Sequence, residues 1–232
     1  MLQAVILAGG LGTRIDLISK KLPKSLIEIN GKPFLAWQLE LFKENGITEV
    51  ILCVSHRAEL IENYLASKKN FGLKISLSFD GEQQLGTGGA VVKALPLLAD
   101  NFMVIYGDSY LPVNFKMIQD FYMEQNKPAL MTVLKNDFNI EMSNVIYNNN
   151  MIIKYDKAKF DPKMTYIDFG LSFYSKKAFD GYMPGVKTDL SEIQYSLSQL
   201  NRLAGYEVTQ RYFEIGSWQG ISDFEAYSKG LL

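Results

Sequence analysis

Short apolar runs alternate with amphipathic stretches through the first 135 or so residues. Residues 3–7 (QAVIL) read as a strand, 34–45 as a helix with Leu35, Leu39 and Phe42 at helical spacing, and 50–54 as a second strand. The same rhythm predicts helices over 59–66, 89–98 and 115–125 and strands over 74–79, 102–106 and 129–134. Strands that are apolar throughout and alternate with helices belong to a mainly parallel sheet covered on both faces. Beyond Lys135 the texture changes. Residues 144–147 and 151–155 flank the polar turn Asn148-Asn149-Asn150 as a hairpin. A strand over 167–174 precedes a helix capped by Thr188 or Asp189 and running to Leu200. Short strands over 206–208 and 212–215 lead to a last helix over 221–229. No Pro- or Ser-rich linker and no internal repeat interrupts the 232 residues, so the pattern predicts one α/β domain, a three-layer Rossmann-like sheet, mainly parallel, with an antiparallel edge.

Composition agrees with a folded, small-molecule protein. At 47% hydrophobic and 12% aromatic the chain can bury a substantial core. Its net charge is -1, with 24 Lys+Arg against 25 Asp+Glu, so no one-sided field argues for nucleic acid or an anionic membrane surface. Cys53, the single cysteine, sits inside the apolar run 50–54 and reads as a buried, unreactive thiol. No stretch reaches the ~18 uninterrupted apolar residues of a membrane helix, and a soluble, cytoplasmic protein is expected.

The candidate chemistry begins directly behind the first strand. LAGGLGTR, residues 7–14, sets three glycines and an arginine where backbone must bend sharply or let a ligand approach closely. A dinucleotide fingerprint starting at Gly10 and Gly12 would put its third glycine on Ile15, and a P-loop needs a Gly-Lys pair that this loop lacks. What remains is a turn whose backbone N–H groups form an anion-binding concavity, followed by the Thr13 hydroxyl and the permanent cation of Arg14. A second cation, Lys24, stands in LPKSL behind a stiffening proline.

With these residues in place the sequence resembles the sugar-phosphate nucleotidylyltransferases, also called NDP-sugar pyrophosphorylases. LAGGLGTR, LPKSL and INGKPFL carry the likeness, and further landmarks recur in order over nearly the whole chain. The small single-domain members acting on heptose 1-phosphate or N-acetylmuramate 1-phosphate are nearest. The resemblance implies the nucleotide-diphospho-sugar transferase fold, with a nucleotide-binding part over about 1–135 and a sugar-phosphate part over about 136–232. It implies a nucleoside monophosphate moved from an NTP onto a sugar 1-phosphate, with pyrophosphate released, to give an NDP-sugar for glycan synthesis. Leu7, Ala8, Gly9, Gly10, Gly12 and Thr13 would cradle the triphosphate, with Gly86, Thr87, Gly88 and Gly89 (in LGTGGAV) at the nucleoside. Arg14, Lys24 and Asp108 (in YGD) would be catalytic. Asp108 and Glu214 would hold Mg2+; Glu214 stands in FEIG, where the family usually carries aspartate, and Ser217-Trp218-Gln219-Gly220 departs from the family's continuation. Lys157, Asp168 and Gly170 would meet the sugar phosphate.

Elementary chemistry agrees, because both reactants are anions. Joining them is mostly positioning and charge neutralisation, which calls for cations, backbone donors and a metal on carboxylates. Plainer readings stand beside several residues. Asp108 lies in a Gly-Asp-Ser turn of ordinary chemistry, and Lys157 shares a solvated charge run with Lys154 and Lys159. His56 reads as a loop residue, and Trp37, Trp218 and Tyr174 as core or pocket wall. A cytidylyltransferase for a phosphorylated alcohol such as phosphocholine, or a silent nucleotide-sugar-binding subunit, are the competing functions. The nucleobase is not legible, and a homodimer stays open.

Overall fold

The computed structural model describes residues 2–10, 22–81, 83–137 and 141–232. Along the chain run β1 (Gln3–Leu7), β2 (Glu28–Ile29), β3 (Lys32–Pro33), α1 (Phe34–Glu44), β4 (Glu49–Val54), α2 (Ala58–Ser67) and β5 (Lys74–Phe79). Then come α3 (Gly86–Ala94), β6 (Asn101–Tyr106), β7 (Ser109–Tyr110), α4 (Phe115–Glu124), β8 (Ala129–Lys135), β9 (Val145–Asn148) and β10 (Met151–Tyr155). The last are β11 (Tyr166–Ser175), α5 (Leu190–Gln199), β12 (Leu203–Val208), β13 (Phe213–Glu214) and α6 (Trp218–Ser228).

Among the described residues nine strands form one sheet in the order β5-β4-β1-β6-β11-β8-β12-β10-β9. The four strands from β5 to β6 are mutually parallel, and β12 is parallel to β8. Alternation along β1 shows why both faces are covered. Ala4 and Ile6 face the core formed with α1, α2 and α4, while Val5 and Leu7 face the core formed with α3 and α5. The result is the three-layer α/β arrangement that the pattern predicts. The hairpin turn is also as expected: Asn149 and Asn150 have φ of 46° and 61°, the two positive values that a type I′ turn demands.

The antiparallel part is not confined to the edge. β11 lies inside the sheet, antiparallel to both β6 and β8. Ile167, Phe169, Leu171 and Phe173 point into the first core, whereas Asp168, Ser172 and Tyr174 alternate with them. That second face is nevertheless covered, because Gln194 of α5 donates to Ser172 Oγ at 3.1 Å and to the Tyr174 hydroxyl at 3.0 Å. A polar stripe in the sequence thus marks a buried hydrogen-bonded seam and not a solvent-facing edge. The pairing of β11 with β8 slips between Asp168 and Ser172, around Gly170 at φ 91°.

Two helices begin earlier than predicted. The helix expected over 89–98 starts at Gly86 and ends at Ala94, and the last one starts at Trp218 behind the cap Ser217, whose Oγ accepts from Gly220 N–H at 3.0 Å. Trp218 is 58% exposed, so it is neither core nor pocket wall; Trp37 and Tyr174 are buried as expected. Asp189 is the N-cap of α5 in a capping box with Glu192.

A third apolar cluster fastens α6 against α1. Phe224 meets Phe34, Trp37 and Tyr110 at centroid distances of 5.2, 5.8 and 4.8 Å. Removing its ring leaves a cavity under the helix that follows β13. Phe224→Ala is therefore expected to lower stability by about 3–5 kcal/mol, read as a shift in the urea unfolding midpoint.

Candidate active site

β1, β4, β5 and β6 all leave the sheet at one edge. Pairing sets Leu7 beside Cys53 and Tyr106, and Val54 beside Phe79, so the chain turns out at Ala8, Ser55, Asp80 and Gly107 along one line. A cleft of about 250 Å³ opens there. The carboxyl ends of parallel strands are where open α/β sheets take their ligands. Gly107 closes β6 onto β1: its N–H donates to the Leu7 carbonyl at 3.0 Å, and a Cβ would lie 2.8 Å from that oxygen and 2.9 Å from Ala8 Cα. Only glycine fits, and Asp108 is thereby set against the turn that follows β1.

Leu7, Ala8, Gly9 and Gly10 form one wall of the cleft. The Gly9 carbonyl accepts from Ser55 Oγ at 2.6 Å and from Gln84 Nε2 at 3.1 Å, which fixes the turn. Gly12, Thr13 and Arg14 lie outside the described residues. Lys24 and Asp108, 84 positions apart in sequence, meet in the cleft, with Lys24 Nζ donating to Asp108 Oδ2 at 2.9 Å. Their side chains are 16% and 33% exposed, so the pair adds only about 0–1 kcal/mol to stability, and its interest is chemical.

The second glycine loop divides between two tasks. Gly86 and Thr87 line the cleft. Gly88 and Gly89 do not line it: both N–H groups donate to the Thr188 carbonyl, at 2.9 and 3.0 Å. A Cβ on Gly89 would come within 2.6 Å of the Val186 carbonyl, and one on Gly88 within 3.0 Å of the Asp189 carbonyl. These two glycines let the segment before α5 pack on α3. Thr87 Oγ1 tightens the same joint by accepting from Leu190 N–H at 2.8 Å.

Glu214 is close to Asp108 through the backbone, and its carboxylate lies behind Lys24: Gly216 sits between the two, with a Cβ built on it meeting Glu214 Oε2 and lying 3.3 Å from Lys24 Nζ. β13 pairs with β7, and Ile215 N–H donates to the Asp108 carbonyl at 2.9 Å. The Glu214 carboxylate turns back on its own loop, accepting from Gly216 N–H at 2.5 Å and Ser217 Oγ at 2.8 Å. It does not border the cleft. Among the described residues no group of three or more metal-ligating side chains forms.

Lys157 and Asp168 meet at 3.7 Å, with the Lys157 ammonium 5.8 Å from the Tyr106 ring centroid. The Asp168 side chain is only 2% exposed. It accepts from Gly170 N–H at 3.0 Å and from the Tyr155 hydroxyl at 3.5 Å, while its own N–H is held by Asn144 Oδ1 at 3.0 Å. Asp168 therefore anchors Lys157 from below and does not itself open to a ligand. Burial, then Asp168, push the Tyr155 phenol far above its ordinary range, so it is a donor throughout.

Sequence reasoning missed three residues. Gln38 is buried on α1 and donates to the carbonyls of Tyr106 at 3.0 Å and Ser109 at 2.8 Å, clamping the turn that carries Asp108. Its signal was one amide inside the apolar run 34–39. Lys187 brings a further cation to the cleft from the segment before α5. Asp80, at the end of β5, completes the wall opposite Asp108. Among the described residues His56 accepts from its exposed neighbour Arg57 and stays a loop residue.

A phosphate-scale cleft at the carboxyl edge of a doubly covered α/β sheet, floored by a lysine–aspartate pair, is the frame of an enzyme that handles anionic substrates. The nucleotidyl transferase family model matches residues 3–230, and the chain belongs to that family. It is 34% identical over 182 residues to a D-glycero-alpha-D-manno-heptose 1-phosphate guanylyltransferase of Campylobacter jejuni, covering 78% of this chain and 79% of that one. It is 28% identical to a UTP–glucose-1-phosphate uridylyltransferase of Synechocystis, over 82% of this chain but only 53% of the relative, so the chain spans about half of that protein. The structure of HddC from Yersinia pseudotuberculosis complexed with GMP-PN superposes with a TM-score of 0.79 at 25% identity, over 98% of this chain and 99% of that one.

Cys53 supplies a check on the cleft's floor. Burial pushes its thiol up to about 12, with Asp80 adding to the shift, so it stays protonated and unreactive at neutral pH. Native protein at pH 8 is expected to resist iodoacetamide for hours and to label fully in denaturant, as read by intact mass.

Proposed function

We infer that the cleft joins a nucleoside triphosphate to a sugar 1-phosphate, forming an NDP-sugar and releasing pyrophosphate. The observation that carries this reading is the Lys24–Asp108 pair at 2.9 Å, set beside the 7–10 turn at the carboxyl edge of β1 and β6. A phosphate oxygen of the sugar attacks the α-phosphorus in line, and the attacking and leaving groups are both anionic. Lys24 offsets the charge gathered at the α-phosphate, and the backbone of Gly9 and Gly10 lets the triphosphate approach. Arg14 is assigned to the departing pyrophosphate by the family pattern. Lys157, held by Asp168 and near the Tyr106 ring although it does not line the cleft itself, would grip the attacking phosphate.

A hard divalent cation suits this donor set. Asp108 has a partly exposed carboxylate with one oxygen on Lys24, and magnesium keeps several waters, so one or two carboxylates suffice. Asp108 would hold it, joined by Glu214 once that side chain leaves Gly216 and Ser217. Bound there, magnesium would neutralise triphosphate charge. A cytoplasmic location would supply the nucleoside triphosphate; no helix among the described residues is long and apolar enough to cross a membrane.

A pyrophosphate-release screen pairing the common NTPs with sugar 1-phosphates tests the reading. Turnover is expected with at least one pair, lost on adding EDTA and restored by Mg2+. Lys24→Ala and Asp108→Ala should each cut that rate by about 10²–10³-fold, with the unfolding midpoint nearly unchanged. Wild-type rates in both variants would sink the assignment.

A further inference from the structure

The edge of the sheet opposite the cleft carries a second cavity, of about 530 Å³. It forms where strand ends meet: β6 starts at Asn101, β8 at Ala129 and β12 at Leu203, and β11 ends at Ser175. Pairing sets Asn101 beside Ser175 and Leu203 beside Ala129. Short bonds tie this floor together. The Pro128 carbonyl accepts from Ser175 N–H at 2.8 Å and from Ser175 Oγ at 3.3 Å, and the Asp100 carbonyl accepts from Lys176 N–H at 2.9 Å. The buried Tyr122 hydroxyl donates to Asn101 Oδ1 at 3.0 Å. β6 runs from this cavity to the cleft over six residues, about 17 Å, so one small ligand cannot occupy both.

Cations gather in the cavity. Lys127, Lys176, Lys177 and Arg202 line it against one carboxylate, Asp100, in a chain whose net charge is -1. Lys127, Lys176 and Arg202 are half-buried, and among the described residues none of the four cations is in an ion pair. By contrast Lys32, Lys74, Lys116 and Lys154 each have a carboxylate partner. Two of the cavity's cations rest on neutral acceptors. Lys127 Nζ donates to Asn201 Oδ1 at 2.8 Å and lies 3.4 Å from Met151 Sδ, and Arg202 Nη2 donates to the Lys177 carbonyl at 3.1 Å. Burial lowers the Lys127 pKa, as it does for a cation drawn from water with no anion beside it. Positive charge held this way is costly, and an arriving anion relieves the cost.

We propose that this cavity is a second binding site, separate from the cleft, for a small metabolite carrying two phosphate groups. Three ammonium groups and a guanidinium outweigh what one carboxylate can neutralise. A phosphate ester brings a charge of about -2 at neutral pH, so two phosphates, joined or apart, match the four cations less Asp100. Arg202 offers a planar fork for paired phosphate oxygens, and the lysines act as point charges around it. Cavities of roughly 300–1,000 Å³ take one small organic ligand, which leaves space for a body beside the phosphates. Met123 and Pro128 give that body an apolar wall, and Asn126 gives it an amide. A sugar bisphosphate and a nucleoside diphosphate share this chemistry.

Amide chemical shifts of isotopically labelled protein test the proposal. In one titration they report the cavity, through Asn126, Lys127, Lys176 and Lys177, and the cleft, through Gly9 and Gly10. Glucose 1,6-bisphosphate and GDP are the probes, with sodium chloride at matched ionic strength as the control. The cavity amides are expected to follow at least one probe with a dissociation constant below about 1 mM, and to stay in place in sodium chloride. A response to the bisphosphate alone makes the ligand a phosphorylated sugar, and a response to GDP alone makes it a nucleotide. Lys176→Gln combined with Arg202→Gln should weaken that binding by about tenfold or more, while Gly9 and Gly10 keep their wild-type midpoint with GDP. Cavity amides that move no further with either probe than with sodium chloride, or an unchanged midpoint in the double variant, overturn the proposal. The wild-type titration decides even if the double variant misfolds. Cavity shifts without any cleft shift in GDP would count against the transfer reading alone.

Discussion

The site depends on one close contact between two parallel strand ends. Where β6 meets β1, Gly107 donates to the Leu7 carbonyl with no space for a side chain between the backbones. That contact fixes the turn after β1 and the turn after β6 as one rigid surface, so Asp108 has a single position relative to Gly9 and Gly10. Gln38 supports it from α1 by binding the carbonyls on both sides of Asp108, and β13 adds the Ile215 N–H on the Asp108 carbonyl itself. Three elements distant in sequence thus converge on one carboxylate. A lysine meets it at 2.9 Å from a proline-led turn, in a partly exposed pair that adds little to stability.

Much of this was legible in the sequence because the parallel half obeys simple rules. Strands such as 102–106 are apolar on both faces and can only lie inside a covered sheet. The clustered glycines with Lys24 and Asp108 mark a chemistry that periodicity does not require. The misplacements have particular causes. β11 alternates polar and apolar residues like a half-exposed strand, and nothing local in the sequence announces that Gln194 will cover its polar face. Gly88 and Gly89 resemble ligand-binding glycines, yet their role is set by the segment at 186–189, about a hundred residues later. Trp218 is exposed at a helix start, where residue type suggested burial.

The chain shares its family with the relatives it matches, and the details of the cleft are its own. Glu214 shows this. The longer side chain in the usual aspartate position reaches back to Gly216 and Ser217, so its carboxylate is committed before any ligand arrives. Asp168 is similar: its buried carboxylate holds the Lys157 ammonium from beneath, at 3.7 Å.

The joint between α3 and α5 has a consequence for how this cleft can vary. Thr188 is tethered through its carbonyl to two glycine amides, and Asp189 starts α5, so the chain ahead of them is a short arm clamped at one end. Gly181 and Gly185 interrupt that arm at φ of 90° and 84°, with open space around both. Changes in its length would be absorbed around those glycines, because Val186 packed on Gly89 and the clamped Thr188 hold Lys187 at the cleft wall on either side. The cleft wall and the length of this arm are thereby separable features of the chain.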